Sequence, residues 1–324
     1  MKGMRSVETV VVARAAAIVL VVANHVVFGV NMHGGLNALL VVSGLAMAQF
    51  GFGSTTREAV RAMFRFGVRL ILPSFLLALV WQIGVGHISL PELGFWSNWL
   101  YKFRVALFPI WYAQAVGQIL VVLIPLFLLT DMGARIARRP ILWVGALYLV
   151  SCGLALVSYA TWDTTYWADK LPHLILWNLI FGWLIWAVRA SNLPTLTGRW
   201  LLTGVLAASV AVLFVGMDAF GGETRAIYMP LIILPVIWLD RISLPTVVAR
   251  VTIVISQATL FIFLFHYYAF WGIWRIGRLI GFEVEAQNPF LRLFAGIVGP
   301  VVLWAVWTAA LRVYRRGYHL GLAA

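Results

Sequence analysis

Apolar residues run along this chain in long blocks, broken by short polar segments that hold most of its arginines. Crossing a ~30 Å hydrocarbon core takes about 20 residues of helix. Blocks of that order fall at Val10–Val30, Leu36–Phe52, Val68–Gly86, Pro109–Leu129, Pro140–Ala160, Pro172–Val188, Trp200–Met217, Ala226–Leu239, Thr252–Trp274 and Pro289–Tyr314. Several open on proline, which suits a first helical turn because its missing N–H has no partner to lose there. The pattern predicts an all-α, polytopic membrane protein of ten spans. The second span is short. The eighth contains Pro230 and Pro235 and is expected to be kinked or broken.

Composition agrees. Of 324 residues, 63% are hydrophobic and 11% charged, with 16 Trp and 28 Gly. A soluble domain carries about 25% charged residues, so lipid is the solvent for most of this chain. The net charge of +13 is spread between apolar blocks rather than along one soluble face, which argues for topology and against nucleic acid. With the N-terminus in the cytoplasm and spans alternating, seventeen of the 24 Lys and Arg fall inside, and the acids lean outside. Both termini are therefore expected to be cytoplasmic. Lys2 and Arg5 ahead of the first block resemble a signal sequence, but no small-residue cleavage site follows, so that block reads as a retained helix. No connection is long enough for a separate domain, and residues 1–324 read as one transmembrane domain without an appended soluble one. The lone Cys152 lies in an apolar block and carries no disulfide or metal message.

Arg14 and His25 fall in the first block. Eleven residues at about 100° each come within about 20° of three turns, so both occupy one helical face about 16 Å apart. Ionisable groups at such depth are costly and usually face a bundle interior or a wet cavity. Taken singly, the arginine reads as snorkelling to headgroups and the histidine as a packing residue; sharing a face, they read as two ends of one channel.

This R-x10-H pattern resembles the signature of the membrane-bound acyltransferase 3 family. Further stretches resemble that family in order: GLNALLVVSGL (35–45), RLILPSFLLAL (69–79), PIWYAQAVGQIL (109–120) and ISQATLFIFLFHYY (255–268). The resemblance implies an acyl-CoA-dependent O-acyltransferase of a bacterial cytoplasmic membrane, with acyl-CoA, acetyl-CoA by family habit, as donor. The acceptor is a sugar, glycan or lipid-linked saccharide, with no metal. It makes His25 the general base, with Arg14 holding the CoA side or a carbonyl. A separate extracytoplasmic partner protein is a possible second component.

Arg57, Arg61, Arg65 and Arg69 repeat every four residues and make one cationic stripe if helical. It reads either as positive-inside charge on anionic lipid or as a cradle for CoA phosphates, with Arg65 and Arg69 favoured. Asn37 stands where the family commonly has an aspartate, leaving open what orients His25. Ser43 and Gly44 allow close backbone approach, to donor or to another helix. Trp111, Tyr112 and His266 are candidates for substrate contact, while His33 and His173 read as loop residues. Outer-loop rings (Phe95, Trp96, Trp99, Tyr101, Tyr159, Trp162, Tyr166, Trp167), with Asp163, Asp169 and Lys170, read as an interfacial belt or as a sugar-stacking surface. A secondary transporter or flippase is the competing function, though carboxylates in mid-span and two-half repeats are missing from the sequence.

Overall fold

The computed structural model describes residues 3–26, 32–53, 55–100, 110–162, 170–217, 219, 221–282 and 288–321, the last eight as backbone alone. Pro109, Lys102, Arg104, Tyr101, Asp163, Tyr166, Trp167, Asp169 and Asp218 lie outside the described residues. The chain is an all-α polytopic membrane protein, with one two-stranded ribbon among the described residues. Among the described residues, seven helices are long and apolar enough to cross a membrane, and one bent pair would make an eighth.

The helices are α1 (Thr9–Val26), α2 (Gly35–Gly51), α3 (Thr56–Val85), α4 (Leu90–Leu93), α5 (Trp111–Thr130), α6 (Met132–Arg138), α7 (Pro140–Thr161), α8 (Pro172–Arg189), α9 (Thr195–Val210), α10 (Gly222–Trp238), α11 (Thr246–Gln257), α12 (Thr259–Leu279) and α13 (Pro289–Gly321). They form two compact units. One comprises Met1–Met32 with Arg241–Ala324, the other His33–Asp240.

In the larger unit, α8 is a largely enclosed span, with Trp177, Phe181 and Trp183 fully buried. It crosses α2 at backbone contact. A Cβ on Gly44 would collide with the Leu179 carbonyl, and one on Gly182 with the Val41 carbonyl. Small residues permit such crossings in lipid, where packing rather than water exclusion drives association. The helix α3 is longer than its apolar block because the arginine stripe occupies about its first four turns. Thr55 caps it by accepting a hydrogen bond from the Glu58 amide at 3.3 Å, a cap joining Thr and Glu three residues apart.

The eighth block, expected to be kinked or broken, is one unbroken helix, α10, with Pro230 and Pro235 inside it. Its last turn is supplied with a donor from outside: the Arg189 guanidinium donates to the Val236 carbonyl at 2.5 Å. That guanidinium also lies 3.7 Å from Asp240, with Arg199 at 3.9 Å. The helix α9 ends in a π-helical turn at Ala211–Gly216.

In the smaller unit, α1 packs on α11, α12 and α13. The break expected in the eighth block occurs in the ninth, where α11 and α12 meet at 82° around Ala258. No proline or glycine causes it. Ala258 is fully buried, small enough for close packing at the corner, and leaves the helical path at φ −83°, ψ 3°. Thr259 donates its hydroxyl to the Ser256 and Ile255 carbonyls at 2.8 and 3.2 Å, satisfying acceptors that the bend releases. The sequence also gave no warning of the ribbon. Here β1 (Met4–Glu8) pairs antiparallel with β2 (Arg241–Pro245), Val7 opposite Ile242, and Arg241 donates to the Ser6 hydroxyl at 2.7 Å. Ribbon and helices tie the two ends of the chain into one unit.

Candidate active site

Within the smaller unit, the first block and the late α12 block bring together the two histidines singled out above. The His25 and His266 ring centroids are 5.2 Å apart. Tyr267 completes a cluster, 4.8 Å from the His25 ring edge-on and 4.5 Å from His266. The His266 side is walled by Phe263 and Phe270 at 6.3 and 5.7 Å. Phe270 fits because α13 has Gly296 opposite it, where a Cβ would strike the ring. Arg292 sits over the other part of that wall, 5.5 Å from the Phe270 centroid. His266 is 2% exposed and Tyr267 36%, so the cluster is closed behind His266 and open on the tyrosine side.

Hydrogen bonding sets the chemistry of both imidazoles. His25 Nδ1 lies 2.7 Å from the Val21 carbonyl one turn back in α1. A carbonyl oxygen only accepts, so Nδ1 carries the proton and Nε2 of the neutral ring is left with its lone pair. His266 Nδ1 donates likewise to Ile262 and Phe263 carbonyls at 2.9 and 2.8 Å. Its Nε2 is buried and has no hydrogen-bond partner among the described residues. In its neutral form each ring therefore carries its lone pair on the nitrogen away from its own backbone. An unused buried acceptor costs about 1–3 kcal/mol, a cost that any ligand donating to His266 would remove.

Residues 10–309 match the acyltransferase domain of the acyltransferase 3 family. The chain belongs to that family. It is a membrane acyltransferase, and no curated protein and no solved structure matches it.

In this acyltransferase the question posed by Asn37 has a local answer. The orienting acceptor of His25 is the Val21 carbonyl, supplied by the regular helix itself. Asn37 instead donates to the Asn178 Oδ1 at 3.4 Å within the larger unit, buried between α2 and α8. Gly44 lies against the Leu179 backbone, which accounts for that glycine by helix packing, and Ser43 is half-buried beside it. Arg14 is half-buried on α1, in the same unbroken helix as His25. Arg57, Arg61, Arg65 and Arg69 are all exposed, and α3 buries Ala59, Met63, Gly67 and Leu70 on another face. Arg65 folds back onto its own helix, donating to the Arg61 carbonyl at 3.3 Å.

Trp111 and Tyr112 open α5, with Tyr112 buried. Behind them is a polar network that the sequence did not advertise. Gln82 donates to the fully buried Glu92 at 2.8 Å and accepts from the Ser89 amide at 2.8 Å. Gln114 bonds Ser97, and Gln118 bonds Asn98 and the Phe95 carbonyl. Four of these side chains are amides scattered over three segments, so no local spacing reveals them. His173 is not a loop residue: it lies in the first turn of α8, flanked by the Trp99 and Trp162 rings at 5.4 and 5.2 Å. His33 does precede its helix, against Gly221.

Proposed function

We propose that the protein transfers an acyl group, acetyl by family habit, from cytoplasmic acyl-CoA to a hydroxyl of a sugar, glycan or lipid-linked saccharide. His25 is the general base. The observation supporting this reading is the bond of His25 Nδ1–H to the Val21 carbonyl, which in the neutral ring puts the lone pair on Nε2. Acyl transfer from a thioester needs such a base for the acceptor hydroxyl. Arg14, three turns along the same helix, faces the CoA end of the donor, and the spacing suits a pantetheine arm. The protein sits in a bacterial cytoplasmic membrane with both termini inside.

The test uses purified protein in lipid nanodiscs with acetyl-CoA labelled on the acetyl group and no added acceptor. CoA binding and slow thioester hydrolysis that depends on His25 support the reading. Folded protein that binds no CoA sinks it and turns Arg14 and His25 into parts of a transport path. On the same reading Arg65 and Arg69 grip phosphates of the donor. Replacing both by alanine is expected to raise KM for acyl-CoA about tenfold for each 1.4 kcal/mol of lost contact, with a smaller fall in kcat. An unchanged KM leaves them as lipid-facing topology residues.

A further inference from the structure

We infer that the outer end of α12 docks an acceptor carried on a lipid phosphate or diphosphate, Arg275 and Arg278 holding the phosphate and Trp271 and Trp274 the sugar beside it. The inference rests on the acyl-transfer reading above and narrows its acceptor to a lipid-linked saccharide.

The site is built on one helix face. From Tyr267, on the open side of the imidazole cluster, Trp271, Trp274 and Arg278 follow at four, seven and eleven residues. At about 100° per residue they stay within about 40° of one line, and they climb about 16 Å along the axis. Arg275 flanks that line, eight residues on. Its guanidinium carbon lies 4.7 Å from the Trp271 ring, that of Arg278 lies 5.7 Å from Trp274, and the two indoles are 6.3 Å apart. Such a contact holds a guanidinium in place without spending its N–H donors, whose fork matches phosphate oxygens. Among the described residues neither arginine meets an acid.

The surroundings name the carrier. Trp271, Arg275 and Arg278 are exposed, and so are Ile276, Leu279 and Ile280 at the same end. Apolar residues that open to the outside of a membrane protein face lipid chains, so an anion held here arrives with a lipid tail beside it. In the predicted orientation this end lies outside, where Lys and Arg are the minority. Arginines that only snorkel to headgroups need no shared register with the reacting cluster; this face leads to it. Indole faces beside the phosphate suit a sugar ring, apolar on one side and hydroxylated at its edge.

The test measures binding of labelled farnesyl diphosphate bearing one N-acetylglucosamine to the protein in phosphatidylcholine nanodiscs. Saturable binding is expected, with Kd raised at least about tenfold by Arg275→Gln with Arg278→Gln. Both positions are exposed, so the melting temperature is expected to match wild type. Arg250→Gln with Arg312→Gln removes the same charge from exposed positions elsewhere in the unit and is expected to leave Kd unchanged. Equal binding by wild type and the first pair overturns the inference, as does equal weakening by both pairs. Displacement of the probe by added phosphatidylglycerol also overturns it and makes the face a headgroup anchor. Hydrolysis of acetyl-CoA without acceptor, followed in the same preparations, depends on His25 and is expected to be unchanged in both pairs. If hydrolysis persists while the probe does not bind, only the acceptor site falls. If wild type shows no hydrolysis but binds the probe through Arg275 and Arg278, the acyl-transfer reading falls and the lipid-phosphate site stands.

Discussion

His25→Ala is expected to reduce acyl transfer by about 10²–10⁴-fold, the range a positioned general base supplies, while the protein still folds and inserts. The fold argument is that His25 is half-buried on α1 and bonds the Val21 carbonyl one turn back, an acceptor that still serves the helical ladder once the ring is removed. The catalytic argument is that neighbouring His266 is a poor substitute: it is closed behind Phe263 and Phe270, on the side away from the opening. Transfer of labelled acetyl groups, measured beside melting temperature, checks both halves. Wild-type turnover in the alanine variant removes His25 from the chemistry. His25→Gln adds a finer comparison, because an amide restores shape and a hydrogen bond but takes up no proton, and it is expected to be as inactive as alanine.

The largest expected effect on folding comes from the α2–α8 crossing. Gly44→Val or Gly182→Val places a branched side chain where another backbone already lies, against the Leu179 and Val41 carbonyls respectively. Overpacking a well-fitted interior costs about 1–3 kcal/mol when side chains can give way; here the obstacle is backbone, so the helices must separate. The expected outcome is loss of the monodisperse peak in detergent and a melting temperature several degrees lower. Because the two glycines serve one crossing, the double variant should lose less than the sum of the singles. Gly145 and Gly153 on α7 have open space around a new Cβ. Alanine there should be neutral or stabilising by up to about 1 kcal/mol, from helix propensity. Equal damage at all four positions would show that glycine matters for flexibility rather than for the crossing.

The two kinds of prediction draw on different amounts of sequence information. Gly44 was visible as one of a small pair in the second block, but whether it faced a helix or a ligand was not, since that depends on where α8 lies. His25 and His266 could both be picked out as rare imidazoles inside apolar blocks, because burying a polar ring in lipid is costly enough to need a reason. Tyr267 could not. Aromatic residues are abundant in this chain, and only contact with both histidines separates it from the other rings.

Properties set by neighbours in the chain were legible in advance. Apolar runs of span length, helix starts at Pro140, Pro172 and Pro289, and the shared face of Arg14 and His25 follow from periodicity and from the backbone's need to pair its own groups in lipid. Even the orienting bond of His25 is local, four residues back, though a backbone carbonyl leaves no mark in a sequence. Tertiary structure decided the rest: the 82° corner at Ala258 rather than at the prolines of α10, the ribbon joining residues 4–8 to 241–245, the buried Glu92 network, and the meeting of His25 with His266 and Tyr267. Each of these joins segments far apart in the chain or balances a local preference against packing around it. Their energies come from contacts that exist only once the helices have docked.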